Sequence, residues 1–255
     1  MAYHSYRTLQ HWDHWLAQEA LGSALLNAEK KTLSPLLSQH FGKHAVLIGV
    51  PQQASLGEST PLTYHTLVSP LLRHEKTVRH HIESDLHELP LLAGSADLVL
   101  LPHTLEFVDN PRQLLSEACR IVKPEGLIVV CGFNPYSYWG MKKKLQRKSV
   151  MPWAGNLIYS YQVKNWLQLA DFQLEQQHTC LFRPFIRQQK IYQQLHFMEK
   201  IGKILFPAFG NIYILLARAK VIPLTPIKMQ WKQSLKSIRI STSTGYIARQ
   251  NNENN

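Results

Sequence analysis

His103 and Glu106 stand three residues apart, immediately after the short apolar run Asp97 to Leu101 (DLVLL). A histidine at the end of a strand is placed to exchange a proton with whatever sits there, because its ring titrates near neutrality. Glu106 reads two ways: an acid beside the same mouth, or the N-terminal charge of the next helical segment. Asp85-Leu86 closes an earlier run, Val78 to Ser84 (VRHHIES). Its carboxylate either accepts a hydrogen bond from a ligand or caps the turn Leu86 to Leu89. Asn134 lies in Gly132-Phe133-Asn134-Pro135 and offers an amide for a substrate, although Asn before Pro is also ordinary turn chemistry. Tyr136, Tyr138 and Trp139 follow as loop aromatics or a lid. Gly49 is a lone glycine after the apolar run Ala45 to Val50 (AVLIGV).

These residues need elements to position them, and residues 83–135 supply the clearest. Asp97 to Leu101 is too short for a helix and rich in strand formers, so it reads as a buried strand. Asn110 is a helix N-cap, and Pro111 sits at the first helical position, where its missing N–H costs nothing. Leu114, Leu115, Ala118, Ile121 and Val122 then form one apolar helical face. Lys123-Pro124-Glu125-Gly126 reads as a stop and a turn. Leu127 to Cys131 (LIVVC) is a second buried strand. Strand, helix, parallel strand is a right-handed βαβ unit, and ligands in such sheets bind beyond the carboxyl ends of the strands. Further strands are expected over Ala45 to Val50, Thr63 to Ser69, Val78 to Ser84, Phe172 to Phe182 and Gly210 to Ala219. Helices are expected over His11 to Lys31, with Gly22 weakening the middle, over Leu33 to Gln39, and over Tyr161 to Ala170.

The run DLHELPLLAGSADLVLLPHTLEFVDNPRQLLSEACRIVKPEGLIVV resembles the class I S-adenosylmethionine-dependent methyltransferases, and within them the broad group whose small-molecule members act in quinone biosynthesis. WLAQEALGSALLNAEKKTL near the N-terminus and GFNPYSYWG after the last parallel strand resemble a proteobacterial subgroup of unassigned substrate. The resemblance covers roughly residues 12–219 and is strongest over 83–135. It implies a Rossmann-like, doubly wound α/β domain: a seven-stranded, mostly parallel sheet closed by an antiparallel C-terminal hairpin. It implies S-adenosyl-L-methionine as cofactor and methyl transfer to a small molecule. It also implies cofactor contacts at Gly49, Ser69, Asp85, Leu86, Leu101 and His103, with Asp85 accepting from the adenine amino group. His103 is the candidate catalytic residue, and Asn134 and Tyr136 are the candidate substrate contacts.

Two positions depart from the family pattern. The loop after the first strand keeps only Gly49, followed by Val50-Pro51-Gln52-Gln53, and proline has no N–H to donate. Ser69-Pro70 stands where the family places a carboxylate for the ribose hydroxyls. Residues 54–61 carry no helical period, so the first crossover helix is expected to be shortened or lost. These departures support a second reading, a non-catalytic binding protein on the same fold.

The 255 residues carry a net charge of +11, with 45% hydrophobic and 18% charged residues, as a globular protein does. The excess is local. Lys142, Lys143, Lys144, Arg147 and Lys148 hold five positive charges, and residues 220–252 hold six more with no acid. These two segments could attract RNA or an anionic membrane, or be solvated basic stretches. No apolar run is long enough to span a bilayer and no secretory signal opens the chain, so a cytoplasmic location is expected. Cys119, Cys131 and Cys180 form no CxxC pair and read as buried, inert thiols. No histidine spacing indicates a metal. One domain is expected over 1–220, with N-terminal helices at 11–40 that cover the substrate side or simply pack. Residues 183–209 are expected to cap the cleft or form a dimer surface, with a helix from Ile191 to Leu205. A basic, disordered tail is expected over 221–255.

Overall fold

In the computed structural model the described residues are 2–58, 60–71, 80–145, 151, 154–184, 199, 202 and 207–221. The chain opens with two helices, α1 (Ala2–Gln18) and α2 (Ala20–Leu37). The parallel strands are β1 (His44–Ile48), β2 (Tyr64–Ser69), β3 (His80–Glu83), β4 (Ala96–Pro102) and β5 (Val122–Phe133). Between them lie the four-residue helix α3 (Ala54–Gly57) and the helix α4 (Pro111–Ile121). Helices α5 (Tyr138–Leu145) and α6 (Ser160–Leu169) lead to the strands β6 (Phe172–Cys180) and β7 (Ile212–Ala219). The seven strands form one sheet in the order β3-β2-β1-β4-β5-β7-β6. β7 runs antiparallel to both of its neighbours. This is the expected doubly wound sheet with its C-terminal hairpin.

The centre of the sheet is β4 and β5. Leu98, Val99, Leu100 and Leu101 are at most 1% exposed, as a strand covered on both faces must be. α4 packs as its pattern requires: Asn110 Oδ1 accepts from the Gln113 N–H at 3.2 Å, and Leu114, Leu115, Ala118 and Ile121 are buried. The expected turn at Lys123 to Gly126 is a bulge inside β5. Val122 pairs with Ala96 and Leu127 with Leu98, so four residues loop out, with Glu125 in the left-handed region (φ 63°). The first crossover is indeed reduced, to a 3₁₀ turn (Pro51–Gln53) and α3.

The N-terminal helices differ from expectation. The break falls at Glu19, whose backbone is extended, and α2 then continues through Pro35 to Leu37. Gly22 is not a weak middle but a corner. A Cβ there would lie 2.7 Å from the Leu16 Cα and 2.8 Å from the Trp15 carbonyl oxygen, so only glycine lets α2 cross α1 this closely. The expected cap helix from Ile191 to Leu205 and the tail lie outside the described residues, apart from Glu199, Gly202 and Val221.

Asp97 ties the opposite end of the sheet together. Its Oδ2 accepts from the Lys43 and His44 N–H groups at 3.0 and 2.9 Å, and Lys123 Nζ reaches both carboxylate oxygens. Burial works to raise its pKa, but Lys123 and the two backbone donors outweigh it and hold the carboxyl below its ordinary range. A depressed folded-state pKa adds stability above the unfolded pKa and loses it as pH falls through the folded value. Asp97→Asn is expected to cost about 1–3 kcal/mol at neutral pH. In urea unfolding, its gap from wild type should narrow as pH falls below about 4.

Candidate functional site

The carboxyl end of β4 carries a residue in a special conformation. His103 has φ 56°, a left-handed position that histidine tolerates better than most residues. Its N–H still bonds the Cys131 carbonyl at 2.9 Å, so the turn is fixed to the end of β5. The imidazole points between two carboxylates. Nδ1 meets Glu106 Oε2 at 2.9 Å and Nε2 meets Glu29 Oε1 at 2.8 Å. All three side chains are buried, at 0%, 2% and 0% exposure for His103, Glu106 and Glu29.

As the imidazolium, a ring held between two carboxylates donates from both nitrogens. Burial works against that charge, but Glu29 and Glu106 overcome it and raise the His103 pKa to about 10. Burial pushes the Glu106 carboxyl up, against the pull of His103. The other Glu106 oxygen accepts from the Phe133 N–H at 2.5 Å. Aromatic rings enclose the cluster, with Phe133 and Trp12 centred 4.2 and 5.6 Å from the His103 ring. Glu29 Oε2 and Trp12 Nε1 are buried without a hydrogen-bond partner among the described residues.

This arrangement revises two expectations. An imidazolium has no lone pair to take a proton, so His103 as folded here is not a general base. Glu106 is neither an open acid nor a solvated helix charge but one half of the clamp on His103. The residue that sequence reasoning missed is Glu29. Its signal was present: Leu21, Leu25, Glu29, Leu33 and Leu37 recur every four residues along the buried stripe of α2, and one of them is an acid.

The loop after β1 is closed in the same way. Gln53 is fully buried; its Oε1 accepts from the Val50 N–H at 3.1 Å and its Nε2 donates to the Pro102 carbonyl at 2.8 Å. Thr104 Oγ1 donates to the Ile48 carbonyl at 2.6 Å, and Asp13 of α1 accepts from the Gln52 N–H at 3.0 Å. A Cβ on Gly49 would lie 2.6 Å from Gln53 Oε1. Gly49 thus makes room for a side chain of its own loop.

The other expected site residues are spread along the same edge. Ser69 ends β2 fully buried, with its Oγ accepting from the Leu71 N–H. Asp85 is exposed and accepts from both the N–H and the Nδ1 of His87, at 3.0 and 2.8 Å, and these bonds hold its carboxyl below its ordinary range. Leu86 and Leu101 are buried. Asn134 spends both amide hydrogens within the chain, on the Ala208 and Gly210 carbonyls, and its Oδ1 accepts from the Tyr136 N–H. That ties the loop to the segment before β7 rather than offering the amide to a substrate. Tyr136 is exposed, its ring 5.3 Å from Tyr159. Cys131 and Cys180 are buried and Cys119 partly so; burial pushes the Cys119 thiol up to about 12. Inert thiols follow.

The chain superposes on proteins already solved. A SAM-dependent methyltransferase from Thermotoga maritima superposes with a TM-score of 0.59 at 18% identity, covering 86% of this chain and 100% of its own. The chain has the fold of the class I S-adenosylmethionine-dependent methyltransferases. Residues 57–130 match the family model described as a methyltransferase domain. The chain is 28% identical over 228 residues to the uncharacterized Escherichia coli (strain K12) protein YafS, covering 88% of this chain and 87% of that one. It is 31% identical over 108 residues to demethylmenaquinone methyltransferase of Chlamydia pneumoniae, covering 37% of this chain and 45% of that one.

Set against this fold, the residues fit the methyl donor at one end only. Asp85 is exposed where the adenine is expected, with Leu86 buried beside it. Gln53 fills the face of the loop where the methionine part is expected, and Ser69 brings no carboxylate to the ribose position.

Removing Glu29 strips one charge-assisted bond from His103. Glu29→Gln is expected to cost about 1.5–3 kcal/mol in chemical unfolding. The His103 pKa is raised on folding, so its stabilisation is complete below pH ~6.5 and is lost as pH rises towards its folded value. Wild-type stability should therefore fall from neutral pH to about pH 10, and the slope should be shallower in Glu29→Gln.

Proposed function

We propose that this chain is an S-adenosylmethionine-dependent methyltransferase acting on a small molecule inside the cell. What carries the reading is the coincidence of the methyltransferase-domain match over residues 57–130 with the complete seven-stranded sheet of that fold. The partial relation to a demethylmenaquinone methyltransferase supports a substrate like those of the quinone-biosynthesis group. Methyl transfer is largely positioning of the acceptor against the donor, so a buried imidazolium in place of a base is no obstacle. At the closed mouth, Glu29 Oε2 offers an acceptor and Trp12 Nε1 a donor. Asp85 and Leu86 would hold the adenine. Gln53 must leave the Val50 and Pro102 groups before the methionine end can be held at Gly49.

A second reading is a binding protein that has kept the fold and lost the chemistry. The observation favouring it is the same plug: Gln53 in the loop and Ser69 at the ribose position, both fully buried.

Calorimetric titration of S-adenosylhomocysteine into the folded protein separates the two. The methyltransferase reading predicts micromolar binding, weakened about tenfold or more in Asp85→Ala. A folded wild-type protein with no detectable binding would transfer the case to the scaffold reading.

A further inference from the structure

The protein leaves one surface beside the strand ends conspicuously apolar. Tyr138, Met141 and Leu145 of α5 are spaced i, i+3, i+7 and share one helical face. They are 55%, 59% and 82% exposed, so this face is turned to solvent rather than to the core. The surface extends beyond α5. Lys144 Nζ lies 3.5 Å from the Tyr159 hydroxyl, and the Tyr159 ring is 5.3 Å from Tyr136 and 5.4 Å from Tyr161. Tyr136 and Tyr161 are themselves more than half exposed.

Charge is added to this apolar face. Lys142, Lys143 and Lys144 fill the last turn of α5, and Arg147 and Lys148 follow in the sequence. Lys144 is exposed at the rim. Lys143 instead turns inward; its pKa is lowered by burial, and the nearby Glu106 opposes that. One helix thus joins the buried cluster to the exposed patch.

We propose that α5 with the tyrosines beside it is a docking surface for an anionic lipid bilayer. Aliphatic side chains exposed in a stripe, amphipathic tyrosines and flanking lysines are what an interfacial segment needs: apolar atoms to enter the headgroup boundary and positive charge to meet the phosphates. Charge complementarity selects an anionic surface over a neutral one. Single-stranded RNA is the less suitable partner, because Met141 and Leu145 offer no stacking face and the tyrosine rings are tilted to one another by 54° and 32°. No helix among the described residues is long and apolar enough to cross a membrane, so the contact is one of lying on the surface.

Flotation of the full chain with two vesicle types tests this. One type is phosphatidylcholine alone, and the other is phosphatidylcholine mixed with phosphatidylglycerol. Binding is expected to the mixed vesicles only, and to weaken as salt rises. The double variant Met141→Ser, Leu145→Ser keeps every positive charge, including those of residues 220–252. It is expected to lose about tenfold or more of the affinity while its thermal melting is unchanged. Lys144→Glu is expected to weaken binding at low salt and to matter less at high salt. Unchanged vesicle binding in the double variant would overturn the proposal and leave a purely electrostatic contact. Binding to a mixed-sequence single-stranded RNA, with none to either vesicle, would overturn it in favour of nucleic acid.

Discussion

A single positive charge buried between two negative ones governs the working edge of this molecule. An unpaired imidazolium at 0% exposure would be prohibitively costly, and so would either carboxylate alone. The three must therefore stay together, and they come from different parts of the chain: Glu29 from α2, and His103 and Glu106 from the turn after β4. The clamp obliges the N-terminal helices to sit on the strand ends. The left-handed backbone of His103 and the bond from Phe133 N–H to Glu106 are further consequences of aiming that ring and that carboxylate.

The loop after β1 obeys the same constraint by other means. Gln53 answers the Val50 N–H and, beside the Thr104 hydroxyl, the Pro102 carbonyl. Gly49 is needed because the amide occupies the space of a Cβ. The loop is thus closed, with α1 pinned to it through Asp13 and Gln52. Closure of the mouth is built from polar groups of the chain itself. The apolar contacts beneath it hold the sheet regardless.

Much of the fold was legible in the sequence because its signals are local. Asn110-Pro111 and the stripe to Ile121 specify α4, and the uninterrupted run to Leu101 specifies a doubly covered strand. Lys123 to Gly126 reads as a turn and is instead a bulge within β5, because the sheet pairs on both sides of it. The corner at Glu19 was not legible, since Gly22 is explained only by the helix it crosses. The site was legible in place but not in role. His103 stood where expected, yet its charge state depends on Glu29, 74 residues earlier in the chain. Asn134 likewise owes its role to the carbonyls of Ala208 and Gly210, which no spacing near it foretells.

The charge on His103 is the claim on which the closed mouth rests, and nitrogen NMR of the histidine-labelled protein reads it directly. Both ring nitrogens of His103 should carry protons at neutral pH and keep them well into the alkaline range, with the signal displaced in Glu29→Gln. A His103 ring that is neutral at pH 7 and titrates near 6.5, like an exposed histidine, would contradict the account.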